Sequence, residues 1–184
     1  MKYQYVNIKE EFLIGEFLQF SLSAGFQTRN EEFPIYNYNT IDLNQAKKLR
    51  NDIKVFLLNY LNDFKSTSED EHVQKIIELS NYISDKYSKI LFKNRFRIGI
   101  CQKIINLFLK YAWSTGKIDM PFHCPIDNII KTKIEKRVQE KSLIDWTEMD
   151  DIKEYLDYIE TLKLISQESK MSLAEWEINN WKRR

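Results

Sequence analysis

Glycine is the scarcest informative residue in this chain of 184: only Gly15, Gly25, Gly99 and Gly116 are present, where average usage would supply roughly 13. Proline is almost as rare, limited to Pro34, Pro121 and Pro125. A chain so short of turn formers cannot connect the many strands of a sandwich or barrel, so the expected fold class is all-α. Two cysteines, Cys101 and Cys124, are too few for a disulfide framework or a thiolate-rich zinc site, and a reducing cytoplasm is the expected location. No apolar run approaches the roughly 18 residues that a membrane-spanning helix needs. The start, Met1-Lys2-Tyr3-Gln4-Tyr5 followed by Lys9, Glu10 and Glu11, lacks the apolar core of a signal peptide. Net charge is also nearly absent, at +1 from 28 basic and 27 acidic residues, but a sum says nothing about distribution.

What is present is helical periodicity. Apolar residues spaced by three and four predict helices over about 9–23, 42–64, 73–91, 102–114, 127–138, 147–167 and 171–183. Thr40 or Asp42 can cap the second, and Asp127 the fifth; Lys65 to Asp70 is a polar break with capping residues, and Gly116 stands just past a helix end. Residues 26–39 read as irregular loop. With no repeat, low-complexity tract or linker, the expectation is six to eight helices in one compact domain over 1–184, with two lobes as an option.

Charge is unevenly placed. From Lys86 to Lys117 there are eight basic residues (Lys86, Lys89, Lys93, Arg95, Arg97, Lys103, Lys110 and Lys117) and no acid. Residues 145–160 hold seven acids against Lys153 alone. The first pattern is that of a phosphate-binding surface, and together they predict a bipolar molecule.

Within the basic stretch, Ile98-Gly99-Ile100-Cys101-Gln102-Lys103 reads as a glycine-containing turn leading into a helix, an arrangement whose backbone amides can cradle a phosphate. Lys93, Arg95, Arg97, Gly99, Cys101 and Gln102 are the candidate nucleic-acid contacts. Lys103 falls in the first turn of the expected helix, where the macrodipole disfavours a cation and lowers the amine pKa from about 10.4. A neutral amine is a nucleophile. The helix from 102 to 114 is about 20 Å long, and the dozen residues that follow can return across that distance. Asp127 can therefore lie beside Lys103.

Gly99, Ile100, Lys103 and Asn106, followed by Pro125-Ile126-Asp127, resemble the helix-hairpin-helix DNA glycosylases, in particular the oxoguanine branch. That hairpin reads approximately Gly-Val-Gly-x-Lys-x-x-Asp/Asn, with Pro-Val-Asp heading a later helix. Cys101 replaces the second hairpin glycine, Ile98 stands where proline is common, and 24 positions separate Lys103 from Asp127. The resemblance covers about 92–138 and implies a base-excising enzyme, with lyase activity as an option, acting on double-stranded DNA with the target base flipped out. Lys103 would attack the sugar C1′ and form a Schiff base, and Asp127 would steer protons and stabilise positive charge. His123, Cys124 and Phe122 are candidates for the base pocket, while Trp113, Trp146, Trp176, Trp181 or Phe122 would stack on the base. No cofactor or metal is implied, and a monomer is expected. Two other readings remain open: a non-enzymatic hairpin module that only binds nucleic acid, and a helical protein whose basic face meets an acidic partner. The tail Lys182-Arg183-Arg184 reads as solvated.

Overall fold

A computed structural model describes residues 8–28, 30–138 and 143–182. The described residues hold seven α-helices: α1 (Ile8–Phe26), α2 (Leu43–Asp63), α3 (Glu69–Tyr87), α4 (Ile98–Ser114), α5 (Asn128–Val138), α6 (Ile152–Glu168) and α7 (Leu173–Asn180). All seven contribute to one continuous core, and the only extended pairing among the described residues is an isolated antiparallel bridge between Tyr36 and Leu91. None of these helices is long and apolar enough to cross a membrane. Met1–Asn7, Arg183 and Arg184 lie outside the described residues; Lys182 is exposed.

The helix starts are set by side-chain caps. Asp42 accepts from the amides of Asn44 and Gln45 at the head of α2. Ser68 with Glu71, Asp151 with Glu154, and Ser172 with Glu175 form reciprocal capping boxes for α3, α6 and α7. Ser68 starts α3 four residues before the apolar pattern begins at Val73.

Helix α4 is the centre of the molecule. It is apolar on nearly every face, from Ile98 and Ile100 through Ile104, Ile105 and Phe108 to Leu109 and Ala112, the pattern of a helix enclosed by others. Its largest partner is α1, where Gly25 lets Ile104 approach so closely that an added Cβ would sit 2.2 Å from a side-chain carbon. After Gly116, in the left-handed region at φ 71°, the chain turns back along α4. Asn106 donates to the Cys124 carbonyl at 3.1 Å, and further toward the start of α4, Gln102 holds Ile126. The return ends at Asp127, which caps α5.

The expected hairpin at Gly99 is corrected. Helix α4 begins at Ile98, so Gly99 and Ile100 lie inside its first turn. The reversal between α3 and α4 is made upstream by Lys93 and Asn94, both at positive φ (51° and 56°). Gly99 serves a different need: the backbone of residues 145–149 presses so close that an added Cβ would meet the Trp146 carbonyl oxygen at 1.8 Å. That turn occupies residues expected to begin the sixth helix, which starts instead at Ile152.

Candidate active site

The expected lysine and aspartate lie near enough for the charge of Asp127 to act on Lys103, without an ion pair between them. Gln102 reaches across to the returning chain: its amide nitrogen donates to the Ile126 carbonyl at 2.8 Å, and its oxygen accepts the Ile126 amide at 3.0 Å. Gln102 and Ile126 are the chain neighbours of the candidate residues Lys103 and Asp127, so this clamp ties the segment that carries Asp127 to α4. Gln102 also donates to the Gly99 carbonyl at 2.9 Å, and Asn106 donates to Gln102 at 3.4 Å. Both side chains are fully buried. Gln102 was expected to contact nucleic acid; its donors face inward, and it positions the site instead.

The Lys103 Nζ lies 3.7 Å from the centre of the Trp146 ring. Burial under that ring pushes its pKa down to about 8, while the negative charge of Asp127 works in the opposite direction. The ring face also attracts an ammonium, so it too limits the fall. The cause differs from the expected one: because α4 starts at Ile98, Lys103 lies beyond the first turn, and desolvation rather than the helix dipole dominates.

Asp127 has both oxygens engaged. Oδ1 accepts the amides of Ile129 (2.9 Å) and Ile130 (3.1 Å), capping α5, and Oδ2 accepts the indole N–H of Trp181 at 3.0 Å. Trp181 is held in turn by α4 and α7. The Lys110 ammonium lies 5.1 Å from its ring centre and pairs with Glu177 at 2.7 Å, with Glu177 almost completely buried. Burial raises the Glu177 pKa, and Lys110 opposes the rise. A carboxylate held on both oxygens suits a fixed negative charge better than a mobile proton acceptor. Trp146 is thus the aromatic on the lysine and Trp181 the aromatic on the aspartate, a choice that periodicity did not make. Glu177 was absent from the sequence expectations; an acid between Trp176 and Trp181, beside an apolar stripe, was its only signal.

The remaining expected contacts are elsewhere. Arg97 is 4% exposed and donates to the carbonyls of Thr147 (2.6 Å), Phe33 (2.8 Å) and Pro34 (3.0 Å), strapping two loops to the start of α4. Gly99 gives its amide to the Met149 carbonyl at 2.9 Å, and Ile98 directs its own at Asp150 at 3.4 Å. Cys101 is fully buried, with its thiol pKa pushed up by burial. For Arg97, Gly99, Cys101 and Gln102 the reading as surface contacts is therefore corrected. Arg95 is half-buried and pairs with Asp150 at 2.9 Å. Lys93 remains exposed, with its amine over Phe33 and Phe92.

The expected base pocket is likewise corrected. His123 hydrogen-bonds Tyr155 at 2.8 Å and Glu69 at 2.9 Å, and its ring meets His72 edge to face at 4.9 Å. Phe122 packs on Phe64 and His72, and Cys124 is buried. His123 and Phe122 belong to an interior layer with Phe64 and with side chains of α3 and α6. Among the described residues no three His, Cys, Asp or Glu side chains converge on a point that could hold a metal ion.

Compared with known proteins, the chain matches no protein family, no curated protein and no solved structure.

Proposed function

We propose that this chain is a DNA glycosylase, with lyase activity following from the same covalent intermediate, in which Lys103 is the nucleophile and Asp127 a fixed anionic partner. The observation that supports the reading is a half-buried lysine that feels the charge of Asp127, a carboxylate engaged on both oxygens in a segment that Gln102 ties to α4. With a pKa near 8, roughly a quarter of Lys103 is neutral at pH 7.5, against about a thousandth for an ordinary lysine. The DNA substrate class comes from the resemblance of Lys103, Asn106 and Pro125-Ile126-Asp127 to the glycosylase pattern.

In the proposed reaction the neutral Nζ of Lys103 forms a bond to C1′ of a flipped nucleotide. The C1′–N bond to the base breaks, its electron pair leaves with the base, and the base takes a proton from solvent. The lysine nitrogen, now positively charged, gives a proton to O4′ as the sugar ring opens, leaving a protonated Schiff base. Asp127 stabilises the positive charge that develops at the sugar and persists on the imine. Loss of the C2′ proton with departure of the 3′ phosphate would complete a lyase step. The substrate is a damaged or modified base of purine type.

The non-enzymatic hairpin module is less well supported, because it needs free amides around Gly99 and those amides are engaged by Met149 and Asp150. A panel of duplexes carrying different damaged and modified bases, treated with borohydride, tests the enzymatic reading. A covalent adduct on at least one duplex, lost in Lys103→Ala and strongly reduced in Asp127→Asn, is expected; no adduct on any duplex counts against it.

A further inference from the structure

Five of the eight basic residues from Lys86 to Lys117 are engaged within the molecule, while Lys89 and Lys93 stay exposed without an acidic partner among the described residues. Lys86, Arg95, Lys110 and Lys117 pair with Asp52, Asp150, Glu177 and Glu10, and Arg97 is buried among carbonyls. Unneutralised charge also gathers elsewhere. Where α5 meets the end of α7, a concavity of about 230 Å³ is lined by Ile129, Thr132, Lys133, Lys136, Asn180 and Lys182. No acid lines it. The three lysines are exposed and have no acidic partner among the described residues, whereas the neighbouring cations Lys131 and Arg137 are committed to Asp145 and Glu168.

This concavity adjoins the candidate site through two direct links. Ile129, on its wall, gives its amide to Asp127. Trp181, the residue before Lys182, gives its indole N–H to the same carboxylate. Three like charges around one hollow repel each other, and an anion placed between them removes that repulsion. A lysine ammonium suits phosphate as a point charge, without demanding one orientation.

We infer that the Lys133–Lys136–Lys182 concavity is a phosphodiester-binding groove that holds the DNA strand flanking the nucleotide presented to Lys103. The inference rests on the DNA reading above, and it moves the main backbone contact from the start of α4 to α5 and the C-terminal segment. Phosphate contacts fix register without reading sequence, so such a groove would hold duplex of any sequence.

The test measures binding of undamaged duplex between 50 and 200 mM salt. The proteins compared are wild type, Lys133→Gln/Lys136→Gln/Lys182→Gln, and a charge-matched control, Lys47→Gln/Lys48→Gln/Lys65→Gln, altered at exposed lysines elsewhere. Loss of three phosphate contacts lowers the salt slope by about 2.7, so across that fourfold salt range wild type should lose about 40-fold more affinity than the groove variant. The control should follow wild type. Equal slopes for wild type and the groove variant overturn the groove while leaving the DNA reading intact. A wild-type protein that ignores duplex, or that binds phosphatidylglycerol vesicles instead, overturns both. A groove variant that loses binding while wild type gives no borohydride adduct supports the groove and removes the enzymatic reading.

Discussion

An added methyl at Gly99 would lie 1.8 Å from the Trp146 carbonyl oxygen, and backbone is far less free to yield than a side-chain tip. Gly99→Ala should therefore destabilise the fold by at least about 1–3 kcal/mol, the usual range for overpacking, in urea unfolding. It should also lift the Trp146 ring from Lys103, so that the lysine pKa rises from about 8 toward its ordinary value. An unchanged unfolding midpoint would show that the close approach is not needed. Gly99 stood out in a glycine-poor sequence, but its reason was not legible there: the group that needs the space lies 47 positions downstream, and no local spacing reports it. That Asp127 could act on Lys103 was legible, because helix length and the length of the returning segment bound their separation, and its charge does reach the amine. The mechanism of the lysine's shift was not, since desolvation depends on Trp146.

At the scale of elements, the seam between α4 and the returning segment 117–127 decides whether there is a site. Gln102 supplies both a donor and an acceptor to Ile126, doing for that residue what a neighbouring strand would do. Gln102→Leu keeps the volume but leaves a buried amide and a buried carbonyl without their partners, at about 1–3 kcal/mol each. We expect lower thermal stability and a reduced rate of adduct formation with Lys103 and Asp127 both intact. A Gln102→Leu protein with wild-type adduct rate would separate the seam from the site. The helices themselves were readable from periodicity, and the caps Asp42 and Asp127 act where the sequence placed them. Boundaries shifted where tertiary contacts intervened. The start of α4 moved upstream because the 145–150 turn caps it with the Met149 carbonyl and the Asp150 carboxylate, and the same turn delayed the start of α6.

Across the whole molecule, the acidic and basic stretches meet at one place, where Asp150 pairs with Arg95 and the Thr147 carbonyl takes Arg97, while Asp145 pairs with Lys131 outside the basic stretch. A linear sequence shows the charges but not which of them meet. The interior also holds two histidines in contact. Burial pushes His72 down to about 3 and lowers His123 as well, with Glu69 opposing the latter shift. Tyr60 on α2, Tyr155 on α6 and the Glu69–Lys163 pair face this couple. Burial disfavours the charged form of His72 when folded, while the unfolded chain protonates it near pH 6.5. Folding stability should thus be fully present above about pH 6.5 and fall as pH drops toward 3, by about 1.4 kcal/mol per unit for His72, with His123 acting in the same direction. Urea titrations at pH 7.5, 6.0 and 5.0 should show this slope in wild type and a shallower one in His72→Phe; stability flat over that range would contradict the arrangement.

The central claim is that the neutral fraction of Lys103 is the nucleophile, and borohydride trapping across a series of pH values followed by peptide mapping tests it most directly. With the duplex that gives the strongest adduct, the initial trapping rate should rise several-fold between pH 7 and pH 9, levelling above the lysine pKa near 8, and the modified peptide should carry the sugar on Lys103. An adduct mapped to any other lysine, or an undiminished adduct in Lys103→Ala, would contradict the account.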